Sequence, residues 1–103
     1  MVNRDDAIKI AQSFVNDCKF NGLSFNTVLL FGSTVKGITH DGSDIDLIIV
    51  SDKFKDNVFE DLKLYAKINI KYLIIETHPM STKAFNENNP FVEQVKNESI
   101  RIC

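Results

Sequence analysis

A surplus of positive charge is missing from this chain. Its 12 Lys and Arg are outnumbered by 14 Asp and Glu, for a net charge of -2. A protein that grips long nucleic acid needs many basic groups to displace counterions from phosphates, so that class is disfavoured; a single nucleotide needs far fewer. Long apolar runs are missing too. The uninterrupted ones last only a few residues, too short to span a bilayer, and the opening MVNRDDAIKI lacks the apolar core of a signal peptide. A cytoplasmic location with no membrane attachment is expected. Cysteine is scarce: Cys18 and Cys103 stand at opposite ends, with no second thiol or His at metal-ligand spacing, which suggests neither zinc nor a disulfide framework. Cys18, on an apolar helix face, reads as core packing, and Cys103 as a frayed end. Repeats, low-complexity tracts and linkers are absent, so one domain covering 1–103 is expected.

What is present reads as alternating helices and strands. Ala7, Ala11, Phe14, Val15 and Cys18 recur at helical spacing, Asn3 with Asp5 and Asp6 marks the helix start, and Gly22 marks its end. FNTVLLF, residues 25–31, and DIDLIIV, residues 44–50, are short apolar segments of strand character, separated by a polar stretch with an Asp41-Gly42 turn signal. Residues 55–67 return to helical period, with Phe59, Leu62 and Ala66, and Val58, Leu62 and Tyr65, on one face. INIKYLIIET, residues 68–77, predicts a third strand. Ser81 or Thr82 caps a short helix through Phe85, Pro90 opens another containing Phe91, Val92 and Val95, and SIRIC closes as a small edge strand. The order predicts an α/β or α+β domain with most Phe residues in the core.

Two aspartates sit where an unpaired carboxylate is costly to bury, at the start of the most apolar segment. Along a strand, residues i and i+2 share a face, separated by about 6.6 Å of rise. Asp44 and Asp46 thus project together, and repulsion raises their pKa values unless a cation intervenes. A hard divalent ion such as Mg2+ relieves that cost, and a pair of ions is the usual device for in-line phosphoryl displacement. Upstream, Gly32 follows a strand and allows close approach to its backbone, while Ser33 offers a hydroxyl and an N–H at the start of a predicted short helix. Lys36 adds positive charge, and Gly37 ends the turn.

Gly32-Ser33, ten intervening residues, then Asp44-Ile45-Asp46-Leu47 resembles the signature of the nucleotidyltransferase superfamily related to DNA polymerase beta, in its minimal form. FGSTVKG and GSDIDLIIV carry the likeness, and the later IETHPMSTKAF…NPFVEQVKNESIRIC is similar to the family's third strand and tail. The resemblance implies a mixed sheet with helices packed against it. It implies two Mg2+ ions held by Asp44 and Asp46, and a nucleoside triphosphate, with ATP the expected one, bound at Gly32, Ser33, Lys36 and Ser43. Transfer of a nucleoside monophosphate to a hydroxyl or similar acceptor would release pyrophosphate. The family often has Arg where Lys36 stands, so the charge is kept and the bidentate fork is lost.

Family members place a third acid on the next strand, as metal ligand and as proton acceptor for the attacking hydroxyl. In KYLIIETHP the only acid is Glu76, sharing a face with Ile74 and Tyr72; the frequent family position is two residues earlier, at Ile74. A Glu76 that converges on Asp44 and Asp46 implies catalysis, whereas one that faces solvent implies a binding module without activity. His40 with Asp41 reads as an exposed turn, and neither His40 nor His78 has a partner at metal-ligand spacing. The likeness to the minimal subgroup further implies a partner that supplies the acceptor site, either a second copy or a small helical protein of the HEPN type in a toxin-antitoxin pair. An antibiotic-modifying transferase is a weaker alternative, since it requires an acidic pocket for cationic drugs.

Overall fold

Ala7, Ala11, Phe14 and Cys18 are the buried stripe of the first helix, α1 (Arg4–Phe20). The Asn3 side chain accepts the Asp6 N–H at 2.8 Å, and Asp5 and Asp6 lie in the first turn where the helix dipole favours negative charge. At the other end Gly22 has φ +92°. Its N–H donates to the Lys19 carbonyl at 3.0 Å and the Leu23 N–H to the Cys18 carbonyl at 2.9 Å, the Schellman pattern that a glycine in the left-handed region permits. Burial pushes the Cys18 thiol up to about 12, which suits packing and removes thiolate chemistry.

The computed structural model describes residues 3–32, 35, 45–87 and 89–103. After α1 come β1 (Thr27–Phe31), β2 (Ile45–Ser51), α2 (Val58–Lys63), α3 (Ala66–Asn69), β3 (Ile75–Ser81), α4 (Thr82–Asn86), α5 (Pro90–Glu98) and β4 (Ile100–Arg101). The strands form a four-stranded sheet in the order β3-β2-β1-β4. β1 runs antiparallel to β2 and β4, and β2 runs parallel to β3. This is the mixed sheet of an α+β fold. One face, through Val28, Leu30, Ile45, Leu47 and Ile49, packs on α1 together with Tyr65, Ile68 and Ile75. On the other face Leu29, Ile48 and Val50 meet Phe85, Val92 and Val95 from α4 and α5. With helices on both sides, β2 reads as a continuous apolar run. Among the described residues no helix is long and apolar enough to cross a membrane.

Sequence and structure part company between residues 55 and 77. In place of one amphipathic helix there are two short ones, and Val58 and Phe59 are 69% and 79% exposed while Asp61 is buried. Asp61 Oδ1 accepts the Lys55 N–H at 2.8 Å, so the helix turns its acid inward to hold the incoming loop and its apolar stripe outward. Asp61→Ala strips that amide of its acceptor. The expected cost is about 1–3 kcal/mol of unfolding free energy, read as a lower midpoint in urea.

The third strand also starts later than 68. Residues 70–74 form turns, around which the Lys71, Tyr72 and Ile75 N–H groups donate to the carbonyls three residues before them. β3 continues through Pro79, which pairs in register with Ile49. That is tolerated because β3 is at the sheet edge, where a missing amide costs no ladder bond. Ser81 caps α4 by accepting the Ala84 N–H at 3.0 Å. The C-terminal end is not frayed: the Cys103 carbonyl accepts from Val28 at 3.3 Å, and the Ile102 N–H donates to the Val28 carbonyl at 2.8 Å.

Candidate active site

Strand register assembles the site. Asp46 pairs across the antiparallel ladder with Phe31, at the end of β1, and across the parallel ladder with Glu76 on β3. Alternation puts Asp46 on the sheet face of Ile48 and Val50, the one covered by α4 and α5. Glu76 and His78, two residues apart on β3, share a face by the same rule. One ligand atom from each of Asp46, Glu76 and His78 lies within 4.8 Å of the others.

The surroundings of Asp46 perturb it. Burial first, and then the negative charge of Glu76, hold the Asp46 carboxyl above the usual aspartate range; His78 partly offsets this. His78 Nε2 stands 3.7 Å from Asp46 Oδ1, outside hydrogen-bond range, and is buried without a hydrogen-bond partner. Two neighbouring carboxylates and an orphaned imidazole nitrogen form a donor set that a divalent cation fits: the oxygens suit Mg2+, and the nitrogen admits Mn2+ as well.

The raised pKa has a consequence for stability. Folding makes Asp46 hold its proton more tightly, so ionised Asp46 weakens the metal-free fold, and wild type loses stability as pH rises from the ordinary aspartate value through the raised one. Asp46→Asn is expected to lack that loss and to melt a few degrees higher than wild type in EDTA at neutral pH. Calorimetric melting at two pH values checks it.

Gly32, next to Phe31, has φ +89°, and a Cβ built there would stand 2.5 Å from Asp46 Oδ2. The glycine thus serves both as a turn residue and as the space in which the Asp46 carboxylate lies. Its carbonyl accepts the Val35 N–H at 3.2 Å, and the Arg4 guanidinium donates to the Val35 carbonyl, tying the turn to the start of α1.

Of the residues singled out in the sequence, Gly32, Asp46 and Glu76 come together here. Ser33, Lys36, Ser43 and Asp44 lie outside the described residues, as do His40 and the short helix expected after Ser33. His78 was passed over as lacking a partner at metal-ligand spacing, yet it stands in the cluster with Asp46 and Glu76. Its signal was available: the i, i+2 relation that joins Asp44 to Asp46 also joins Glu76 to His78. What hid it was Pro79, which looked like the end of the strand.

The nucleotidyltransferase domain model matches residues 12–102, and the chain belongs to that family. The likeness carried by FGS and SDIDL is therefore a family relationship. A protein from Sulfolobus solfataricus, described as a candidate nucleotidyltransferase, shares the fold with a TM-score of 0.69 at 20% identity, covering 95% of this chain and 80% of that one. A toxin-antitoxin structure with AMP-PNP does so with a TM-score of 0.61 at 19% identity, covering 89% of this chain and 72% of that one. Among curated proteins none matches the chain in sequence.

Proposed function

We propose that this domain transfers a nucleoside monophosphate, AMP in the first instance, from a nucleoside triphosphate to a hydroxyl on a partner protein, with Asp46, Glu76 and Asp44 as the working carboxylates. The observation that carries it is the pairing of Asp46 with Glu76 across a parallel ladder, beside a glycine turn whose open space the Asp46 carboxylate uses. Glu76 is exposed and yet lies beside Asp46; we take that convergence to favour catalysis over binding alone.

The residues divide the labour. The Gly32 turn lets phosphate approach the backbone, with Ser33, Lys36 and Ser43 as further phosphate contacts. Asp46 and Glu76 would hold a divalent ion, His78 would complete its donor set, and Asp44 with Asp46 would provide for a second ion. Bound Mg2+ would supply charge neutralisation at the transferring phosphoryl group and at the departing pyrophosphate. Glu76 is the group placed to take the acceptor's proton as the acceptor oxygen bonds to the α-phosphorus and the bond from that phosphorus to the bridging oxygen breaks. The acceptor is taken to come from a partner. A second copy or a small helical toxin-like protein fits that role, and the toxin-antitoxin neighbour supports the latter.

Calorimetric titration of ATP in Mg2+ and in EDTA tests the nucleotide site, and transfer of label from α-labelled ATP to a co-encoded helical protein tests the reaction. Metal-dependent binding with transfer supports the reading. Binding without transfer to that protein or to a second copy of this chain removes the catalytic part.

A further inference from the structure

We propose that the cavity between β1 and α5 is the nucleobase subsite, with Phe91 as the stacking surface and Gln94 as the residue that reads the base edge; this rests on the nucleotidyl transfer proposed above. The cavity has a volume of about 180 Å3 and is lined by Phe31, Gly32, Phe91, Gln94, Val95 and Glu98. It begins at the glycine that flanks Asp46 and lies on the sheet face that Asp46 shares with Ile48 and Val50, so a nucleotide held by the cluster reaches it without crossing the sheet.

Size and charge decide which part of a nucleotide enters. Whole drug-sized ligands occupy about 300–1,000 Å3, so this space suits one flat ring system and no more. None of its described lining residues is basic. They offer a triphosphate no counter-charge, whereas an uncharged planar ring needs none. The walls match such a ring. Phe31 and Phe91 pack edge to face with centroids 5.9 Å apart, and His78 lies 5.2 Å from Phe31 and 6.5 Å from Phe91. These rings form a continuous aromatic wall from the Asp46 cluster to the cavity. Phe91 is 45% exposed although its neighbour Val92 is fully buried, so a large aromatic surface is left open beside a phosphate turn. Stacking of a base on such a ring is tolerant of base identity. Gln94, one helical turn along, presents both a donor and an acceptor to the ring edge, which gives a means of discrimination.

The test is calorimetric titration of ATP, GTP and inorganic tripolyphosphate, each with Mg2+, into wild type, Phe91→Ala, Phe91→Tyr and Gln94→Ala. Phe91→Ala is expected to weaken ATP about tenfold while tripolyphosphate stays within about twofold, and Phe91→Tyr to retain ATP. Gln94→Ala, at an exposed helical position, is expected to change the ATP to GTP affinity ratio about fivefold, and keeps the proposal testable if Phe91→Ala fails to fold. Unchanged ATP affinity in Phe91→Ala, or equal weakening of ATP and tripolyphosphate, overturns the subsite and leaves the nucleotide site standing; an unchanged ratio in Gln94→Ala overturns its reading role. Failure of wild type to bind any of the three probes overturns the proposed nucleotidyl transfer and the subsite with it.

Discussion

Asp46→Ala is expected to lower nucleotidyl transfer by about three orders of magnitude or more, because an ion that neutralises a transferring phosphoryl group is worth several kcal/mol and each 1.36 kcal/mol is a factor of ten. The fold is expected to survive. Asp46 makes no apolar contact that the core depends on: Ile45 and Leu47, to either side, are fully buried on the opposite face. Its own carboxylate is held above the usual range by burial and by Glu76, so removing it relieves the metal-free domain. Circular dichroism and a melting curve in EDTA should be unchanged or improved while metal-dependent ATP binding and label transfer disappear. Wild-type rates in this variant would end the proposed mechanism. Glu76→Gln separates two roles, since the amide can still lie beside Asp46 but can take no proton. It should lose turnover more than nucleotide affinity.

Gly32→Ala comes next in expected effect, through geometry where Asp46→Ala acts through charge. At φ +89° an L-residue meets strain of roughly 1–2 kcal/mol. The added Cβ would also stand 2.5 Å from Asp46 Oδ2, a separation that real contacts do not tolerate, so either the turn or the carboxylate moves. A displacement of about 1 Å at a reacting centre is enough to cost a hundredfold in rate. Gly22→Ala is the matched control: its φ is +92°, yet nothing lies within 4 Å of the added Cβ. Both variants should lower the melting temperature by a comparable few degrees, and only Gly32→Ala should lose activity. Equal activity in the two would show that the space at Gly32 is irrelevant to the site.

Strain and repulsion thus meet where the function is proposed to lie. Asp46 is raised in pKa by burial and then by Glu76, whose proximity a cation would turn to advantage. His78 Nε2 is left without a hydrogen-bond partner. Gly32 holds a left-handed turn against a carboxylate oxygen. Features of this kind cost stability in the free domain and are tolerated where ligand binding needs them.

Local order was legible in the sequence wherever a short-range rule governed it. The cap at Asn3, the glycine stop at Gly22, the two apolar strands and the Pro90 helix start each depend on residues within about four positions, and all are found in the structure. The motif of Gly-Ser with Asp-x-Asp was legible through its resemblance to the family; strand alternation, a two-residue rule, predicts only that Asp44 and Asp46 share a face. Between residues 55 and 77 the same rules failed: a buried acid that holds a distant amide reverses the face of α2, and the edge position of β3 admits a proline that reads as a stop. The partner of Asp46 could not be read from spacing at all. Glu76 lies 30 positions further along the chain and meets Asp46 through the parallel register of β2 with β3, and a one-residue slip would have turned it to the other face. The sequence by itself determined the locally capped elements outside residues 55–77 and the motif; only the tertiary structure decided that Glu76 and His78 converge on Asp46, because inter-strand register is set by the packing of two sheet faces at once and by no local signal along the chain.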